Sequence, residues 1–160
     1  MLEFWDTSEE HKNDILNFMD VRKTPSDYCD GRYTYWIGLA DGAPFSLIMA
    51  IIEYPGEDRP QLKEEFISKT GSTYGLDFCI GNKYFHGQGL AAPTIKAFTE
   101  FFKAEVDKEV DTFMIDPYDH NPRAKHVYAK AGFELVGDFI MQGTLTDSDG
   151  KRAFLLVKKM

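Results

Sequence analysis

Asp116-Pro117-Tyr118-Asp119-His120-Asn121-Pro122-Arg123-Ala124-Lys125-His126-Val127-Tyr128-Ala129-Lys130-Ala131-Gly132-Phe133 carries a full set of boundary signals. It follows Val110 to Ile115, an apolar run that reads as a strand ending at Asp116 and Pro117. Asn121 has an N-cap side chain and Pro122 the fixed φ of a first helical position. Gly132 supplies the residue that stops a helix after Ala131. The stretch therefore reads as strand end, loop and short helix, with a new strand expected from Phe133 to Gln142. Asp116 stands at the carboxyl end of its strand, where open α/β sheets place their ligands. The plainer reading is a turn residue before proline, and propensity alone gives the two even weight.

Upstream, His86-Gly87-Gln88-Gly89-Leu90-Ala91 lies between an expected strand, Thr73 to Ile80, and an expected helix from Gly89 to about Val106. That helix is predicted to bury Leu90, Ile95, Phe98, Phe101 and Phe102, with Pro93 tolerated in its first turns. Glycines before a helix let backbone N–H groups approach an anion that the helix dipole also favours, and a pyrophosphate is the natural ligand. The plainer reading is a tight turn. Gly87 to Ala92 also fits the G-x-G-x-x-A fingerprint of dinucleotide-binding folds. Six residues separate Ile80 from Gly87, antiparallel strands precede the motif, and too little chain follows for a doubly wound sheet. Those strands are Tyr33 to Leu39 and Phe45 to Glu53, joined through Asp41-Gly42 as a hairpin. Thr7 and Glu10 have capping-box spacing ahead of a helix expected over residues 8–22. Tyr54 to Glu65 is a proline- and charge-rich excursion, and Arg152 to Lys158 reads as the closing strand.

The 160 residues suit one domain, 1–160, with one packed core, for which the 13 Phe and 8 Tyr supply bulk. The longest apolar run, Phe45 to Ile52, falls far short of the ~20 residues that cross a bilayer. Met1 to Asp6 lacks the basic and apolar regions of a secretory signal, so no membrane and a cytoplasmic setting are expected. The two cysteines, Cys29 and Cys79, and the four histidines show no zinc-ligand spacing, and no metal is expected. A net charge of −8 speaks against a nucleic-acid partner and favours a cationic small molecule.

The glycine loop and the Asp116–Phe133 stretch together resemble the GNAT superfamily of N-acetyltransferases. Its cofactor motif is R/Q-x-x-G-x-G/A, and its next strand–helix unit carries N-x-x-A-x-x-x-Y-x-x-x-G-F. Asn121, Ala124, Tyr128, Gly132 and Phe133 fill the second pattern; Gly89 and Ala91 match the first, with His86 where Arg or Gln is usual. The resemblance implies an α/β (α+β) fold with a mixed, mainly antiparallel central sheet and helices on both faces. It implies acetyl-CoA as acyl donor, held by His86, Gly87, Gln88, Gly89, Leu90, Ala91, Asn121 and Tyr128 and by main-chain groups of Cys79 and Ile80. Within the superfamily, Gly75-Leu76-Asp77 and Asp116-Pro117 are similar to aminoglycoside 6'-N-acetyltransferases. There the matching aspartates hold the amine-bearing sugar, and the matching tyrosine faces the CoA sulfur. Residues before Tyr33 lack the superfamily's first strand, which implies either a sequence that starts inside the natural domain or a sheet edge covered by another segment or by a second copy in a homodimer. Tyr54 to Thr73 has no counterpart in the pattern.

The resemblance thus implies direct transfer within a ternary complex. A primary ammonium must lose a proton before it attacks a thioester. Asp116, directly or through a water, is the expected base; Asp77 orients the amine and Tyr128 assists the departing thiolate. Direct transfer needs no covalent nucleophile, so His120, His126 and the Cys79 thiol are assigned no chemistry. A siderophore-type lysine N-acyltransferase is the nearest rival, but that family usually has histidine at the place of Asp77. A protein-acetylating enzyme is a further alternative. A non-catalytic acyl-CoA-binding sensor would have no reason to keep Asp77, Asp116 and Tyr128 together.

Overall fold

Asp41 and Gly42 both take positive φ, 49° and 78°, as a two-residue hairpin turn matched to strand twist requires. They join β1 (Tyr33–Ala40) to β2 (Ala43–Glu53), in register from Tyr33 opposite Ile51. In the computed structural model, the described residues are Glu9, Lys12, Asn13, 32–141 and 150–160. The helix expected over 8–22, its capping box, the first-strand question and Gln142 therefore lie outside the described residues, apart from Glu9, Lys12 and Asn13, which are helical.

The chain continues through α1 (Gln61–Glu65), β3 (Ser72–Ile80), a 3-10 turn at Lys83–Phe85, and α2 (Ala91–Phe101), which runs on as a π turn over Phe102–Val106. Then come β4 (Val110–Ile115), α3 (Pro122–Lys130), β5 (Glu134–Ile140) and β6 (Arg152–Lys159). Among the described residues six strands form one sheet in the order β1-β2-β3-β4-β6-β5. Among the described strands only β3 and β4 pair in parallel, the connection between them carrying α2.

Alternation along the strands separates two faces. One carries Ile48, Ala50, Leu76, Phe113, Ile115 and Leu156, and α2 and α3 cover it with Ile95, Phe98, Phe102 and Tyr128. Phe102 anchors this core, with ring centroids 4.7 Å from Tyr74, 5.5 Å from Phe98 and 5.8 Å from Phe113. Full burial of such a side chain stabilises by about 1.5–3 kcal/mol. Phe101 departs from the expected buried set: it is 45% exposed, because it lies one helical step off the buried stripe and only edges against Trp36. The opposite face carries Met114, Leu155 and Val157 under Ile67, Leu62 and Phe66 of the α1 segment. Helices thus lie on both faces, and α1, within a stretch without a sequence counterpart, provides the second layer.

Candidate active site

β3 and β4 pair only as far as Gly75 opposite Met114, although β3 runs on to Ile80. Beyond that point β4 follows β6 instead. Ile115 pairs with Leu156, Phe154 N donates to Pro117 O (2.9 Å), and Asp119 N donates to Arg152 O (3.0 Å). The parallel strands therefore part at their carboxyl ends, and Asp77 on β3 and Asp116 at the end of β4 stand on the two sides of the split.

Asp77 alternates onto the face of Thr73 and Gly75, and Asp116 onto the face of Met114. Glu53, at the end of β2 opposite Thr73, falls on that face too. Lys63 of α1 joins them: its Nζ donates to Asp116 Oδ2 at 3.2 Å and lies 3.7 Å from Glu53 Oε1. Arg59 Nη1 donates to Glu53 Oε2 at 2.7 Å, and Arg59 also pairs with Glu57. Leu62 seats α1 over β5, where a Cβ at Gly137 would come within 2.9 Å of Leu62 Cδ2.

Solvent reaches the Asp77 carboxyl, but protein crowds it as at the floor of a recess. That enclosure sets the direction of its titration. Desolvation first, then the charges of Asp116 and Glu53, push its pKa up to about 7 against the lowering effect of Lys63. For Lys63, burial opposes its charge, but Asp116, Glu53 and Asp77 outweigh it and hold the ammonium above the ordinary lysine value. No side chain of the described residues hydrogen-bonds Asp77.

Tyr128 approaches the split from the other face, 8% exposed and packed near Phe133 with ring centroids 6.4 Å apart. Burial, followed by the charges of Asp77 and Asp116, raises its phenol well above the ordinary tyrosine value. The Cys79 thiol is pushed up to about 11, chiefly by burial, so it is held as a thiol and not as a nucleophilic thiolate.

The glycine loop follows β3 and leads into α2, which packs on the same face of the sheet as Tyr128. Gly87 and Gly89 take positive φ, 76° and 74°, and a Cβ on either would meet nothing within 4 Å. The backbone there is open on the side from which a ligand would approach. Among the described residues no side chain caps the N-terminus of α2 behind Leu90. His86 Nε2 donates to Ile80 O at 2.8 Å and ties the loop to the end of β3. Gln88 Nε2 likewise donates to Tyr84 O (2.6 Å). Asn121 Oδ1 accepts from Ala124 N at 3.1 Å, the expected N-cap, so that oxygen serves the helix.

Asp77, Asp116 and Tyr128 are thus brought to one split, with the glycine loop beside it. Glu53, Arg59 and Lys63 were not singled out from sequence. Glu53 ends an apolar strand, a signal that could have been read; Lys63 and Arg59 lie among many charges in the excursion, where nothing distinguishes them. Among the described residues no group of three or more His, Cys, Asp or Glu is arranged to hold a metal, and no helix is long and apolar enough to cross a membrane.

A mixed sheet whose central parallel pair parts beside a glycine loop defines an acetyltransferase of the GNAT class. The chain belongs to that family: residues 6–141 match the model of the acetyltransferase (GNAT) domain. It is 26% identical over 156 residues to aminoglycoside N(6')-acetyltransferase type 1 of Klebsiella pneumoniae, covering 98% of this chain and 71% of the relative. It is 34% identical over 82 residues to a kanamycin resistance protein of Rhizobium radiobacter, covering 51% of this chain and 68% of that protein. Among solved structures, the aminoglycoside acetyltransferase AAC(6')-Ib in complex with coenzyme A and kanamycin superposes with a TM-score of 0.67 at 23% identity, over 96% of this chain and 92% of that one. Its complex with ribostamycin and coenzyme A gives 0.63 at 25% identity, over 80% and 64%.

Proposed function

We propose that the protein transfers the acetyl group of acetyl-CoA to a primary amine of a small cationic molecule of the aminoglycoside class. The observation that carries the reading is the placement of Asp77 and Asp116 on one face of the split with Tyr128 behind it on the other. The relatives' names support the acceptor class.

The residues present suit a CoA thioester. The open backbone at Gly87 and Gly89 and the uncapped start of α2 form an anion cradle for a pyrophosphate. The edge of β3 beyond Gly75, released by β4, offers main-chain groups at Cys79 and Ile80 to an extended arm. Acetyl-CoA supplies the activated acyl carbon and a thiolate leaving group. The donor would lie on the α2–α3 face and the acceptor on the α1 face, meeting at the split.

On the acceptor side Asp116 and Asp77 bind the ammonium. The case for proton acceptance moves from Asp116 to Asp77: a carboxylate with pKa about 7 is a far better base at neutral pH than an ordinary aspartate near 3.9, while Asp116 is held in an ion pair with Lys63. Tyr128 acts as a hydrogen-bond donor to sulfur. Its raised pKa makes full proton transfer to a thiolate, whose acid is of pKa ~8.5, unfavourable, whereas the bond to developing charge costs nothing of the kind.

The test is an amine panel of aminoglycosides, polyamines, lysine derivatives and peptides, assayed for CoA release. Turnover concentrated on aminoglycosides supports the reading. Turnover on hydroxylated lysine derivatives or peptides alone would replace the acceptor class, and acetyl-CoA binding with no turnover would favour a sensor.

A further inference from the structure

We propose that Lys63 is a positioning residue for proton transfer: its ammonium, fixed between Asp116 and Glu53, offsets the carboxylates that surround Asp77 and so keeps Asp77 able to ionise near neutral pH. The inference rests on the functional reading above, in which Asp77 takes the proton of the acceptor's ammonium.

Three carboxylates and one ammonium share the acceptor face of the split. Asp77 stands on β3, Asp116 follows the end of β4, and Glu53 ends β2. Lys63 Nζ enters from α1, 3.2 Å from Asp116 Oδ2 and 3.7 Å from Glu53 Oε1. A chain of alternating charges sets its place. Arg32, ahead of β1, pairs with Glu57; Glu57 pairs with Arg59; Arg59 Nη1 donates to Glu53 Oε2 at 2.7 Å; and Glu53 faces Lys63. Arg59 Nε also lies 3.3 Å from Glu64 Oε2, one residue after Lys63 on α1. The Arg59 side chain is 6% exposed and that of Glu53 11%, so this chain is anchored away from open solvent, where ion pairs contribute little. Gly75 leaves room for Glu53, since a Cβ there would lie 2.8 Å from its Oε1.

The titratable and charged groups around Asp77 are Glu53 from β2, Asp116 from β4, Lys63 from α1, the Tyr128 phenol from α3 and the Cys79 thiol of β3 itself. Phenol and thiol are both held above their ordinary values and stay neutral through the neutral range. The balance at Asp77 therefore lies between two carboxylates and one ammonium. Without that ammonium, a proton entering the cluster is held more tightly, whichever carboxylate carries it. Burial and Asp116 push the Asp77 pKa up and Glu53 adds to them, while Lys63 opposes all three, in accord with the geometry. The acid limb of kcat/KM reports the free enzyme, in which Lys63 sits on Asp116, so its position reads this cluster before any acceptor arrives.

Two titrations of wild type, Lys63→Met, Lys63→Arg and Glu53→Gln test this. One follows the Asp77 carboxyl by carbon-13 NMR, its signal assigned with Asp77→Asn; the other follows kcat/KM for kanamycin across the same pH range. Lys63→Met should move the Asp77 midpoint and the acid limb up by about one pH unit, so that kcat/KM at pH 6 falls about 10-fold relative to its own high-pH plateau. Lys63→Arg keeps the charge and should keep both positions. Glu53→Gln removes a carboxylate and should move both down. Rates that fall equally at every pH in Lys63→Met, with the midpoint unmoved, would overturn the proposal, because Lys63 would then only hold α1 in place. If Lys63→Met folds too poorly to assay, Glu53→Gln decides, and a midpoint that stays or rises refutes the electrostatic role. A midpoint that moves by NMR while the limb stays would overturn proton acceptance by Asp77 and, with it, this role of Lys63. A wild-type enzyme that acetylates no amine defeats the functional reading, and the NMR midpoint, which needs no turnover, tells that failure apart from an unmoved Asp77.

Discussion

Asp77→Asn keeps side-chain volume and removes the carboxylate proposed to take the amine's proton. With a pKa of about 7, Asp77 is roughly one-tenth ionised at pH 6 and roughly nine-tenths at pH 8. Wild-type kcat/KM should therefore rise about 10-fold across that interval beyond whatever the amine's own titration contributes. The groups facing Asp77 are Asp116 and Glu53, which raise this limb, and Lys63, which lowers it. In Asp77→Asn the limb should vanish, and kcat/KM at pH 8 should fall by about 10²-fold or more, the usual loss with a general base. Still higher pH should recover part of the rate, because more amine is already free. Initial rates of CoA release with one aminoglycoside from pH 5.5 to 9 measure all of this. A mutant with the wild-type acid limb and near-wild-type rates would refute proton acceptance by Asp77. Stability offers a second check with opposite sign. The folded state holds this proton more tightly than the unfolded chain, so Asp77 makes stability fall as pH rises from the ordinary aspartate range toward 7. Asp77→Asn removes that decline, and its melting temperature relative to wild type should be higher at pH 8 than at pH 5.

Tyr128→Phe should lower kcat by more than it weakens acetyl-CoA binding, since the hydroxyl is proposed to act as charge develops on sulfur; equal turnover in the two enzymes would remove the role. Gly89→Val should abolish CoA binding in calorimetry, because a β-branched side chain projects into the open space at φ 74°; the strained φ itself should cost about 1–2 kcal/mol of stability. Unchanged affinity would place the pyrophosphate elsewhere. Asn121→Ala should destabilise by about 1 kcal/mol in denaturant unfolding through loss of the cap on α3, and no loss would contradict the bond to Ala124 N.

The elements that were legible in the sequence are those whose ends carry local chemistry. Asn121-Pro122 and Gly132 bound α3, and Asp41-Gly42 fixes the hairpin, because capping and positive φ depend on single residues. The helix after the glycine loop begins two residues later than expected, since Gly89 itself is left-handed and the loop extends through Leu90. Asp77 and Asp116 could be named from motifs, but not the exchange of roles proposed for them. That depends on Lys63 reaching Asp116 across the fold, and no local pattern encodes such a meeting. His86 could be placed at the loop, while its bond to Ile80 O depends on how the chain turns back through the 3-10 turn at Lys83–Phe85. Phe101 shows the same limit within a helix, where apolar character alone does not say which of two neighbouring phenylalanines faces the core.

The central claim, acetyl transfer from acetyl-CoA to a primary amine at the Asp77–Asp116 split, is tested most directly by mass spectrometry and NMR of the product formed from kanamycin and acetyl-CoA. The account predicts a single acetyl group on the 6'-amine, formed with stoichiometric release of CoA and formed about 10²-fold more slowly by Asp77→Asn at pH 8. Kanamycin recovered unmodified with acetyl-CoA intact, or acetylated equally by the wild type and Asp77→Asn, would contradict it.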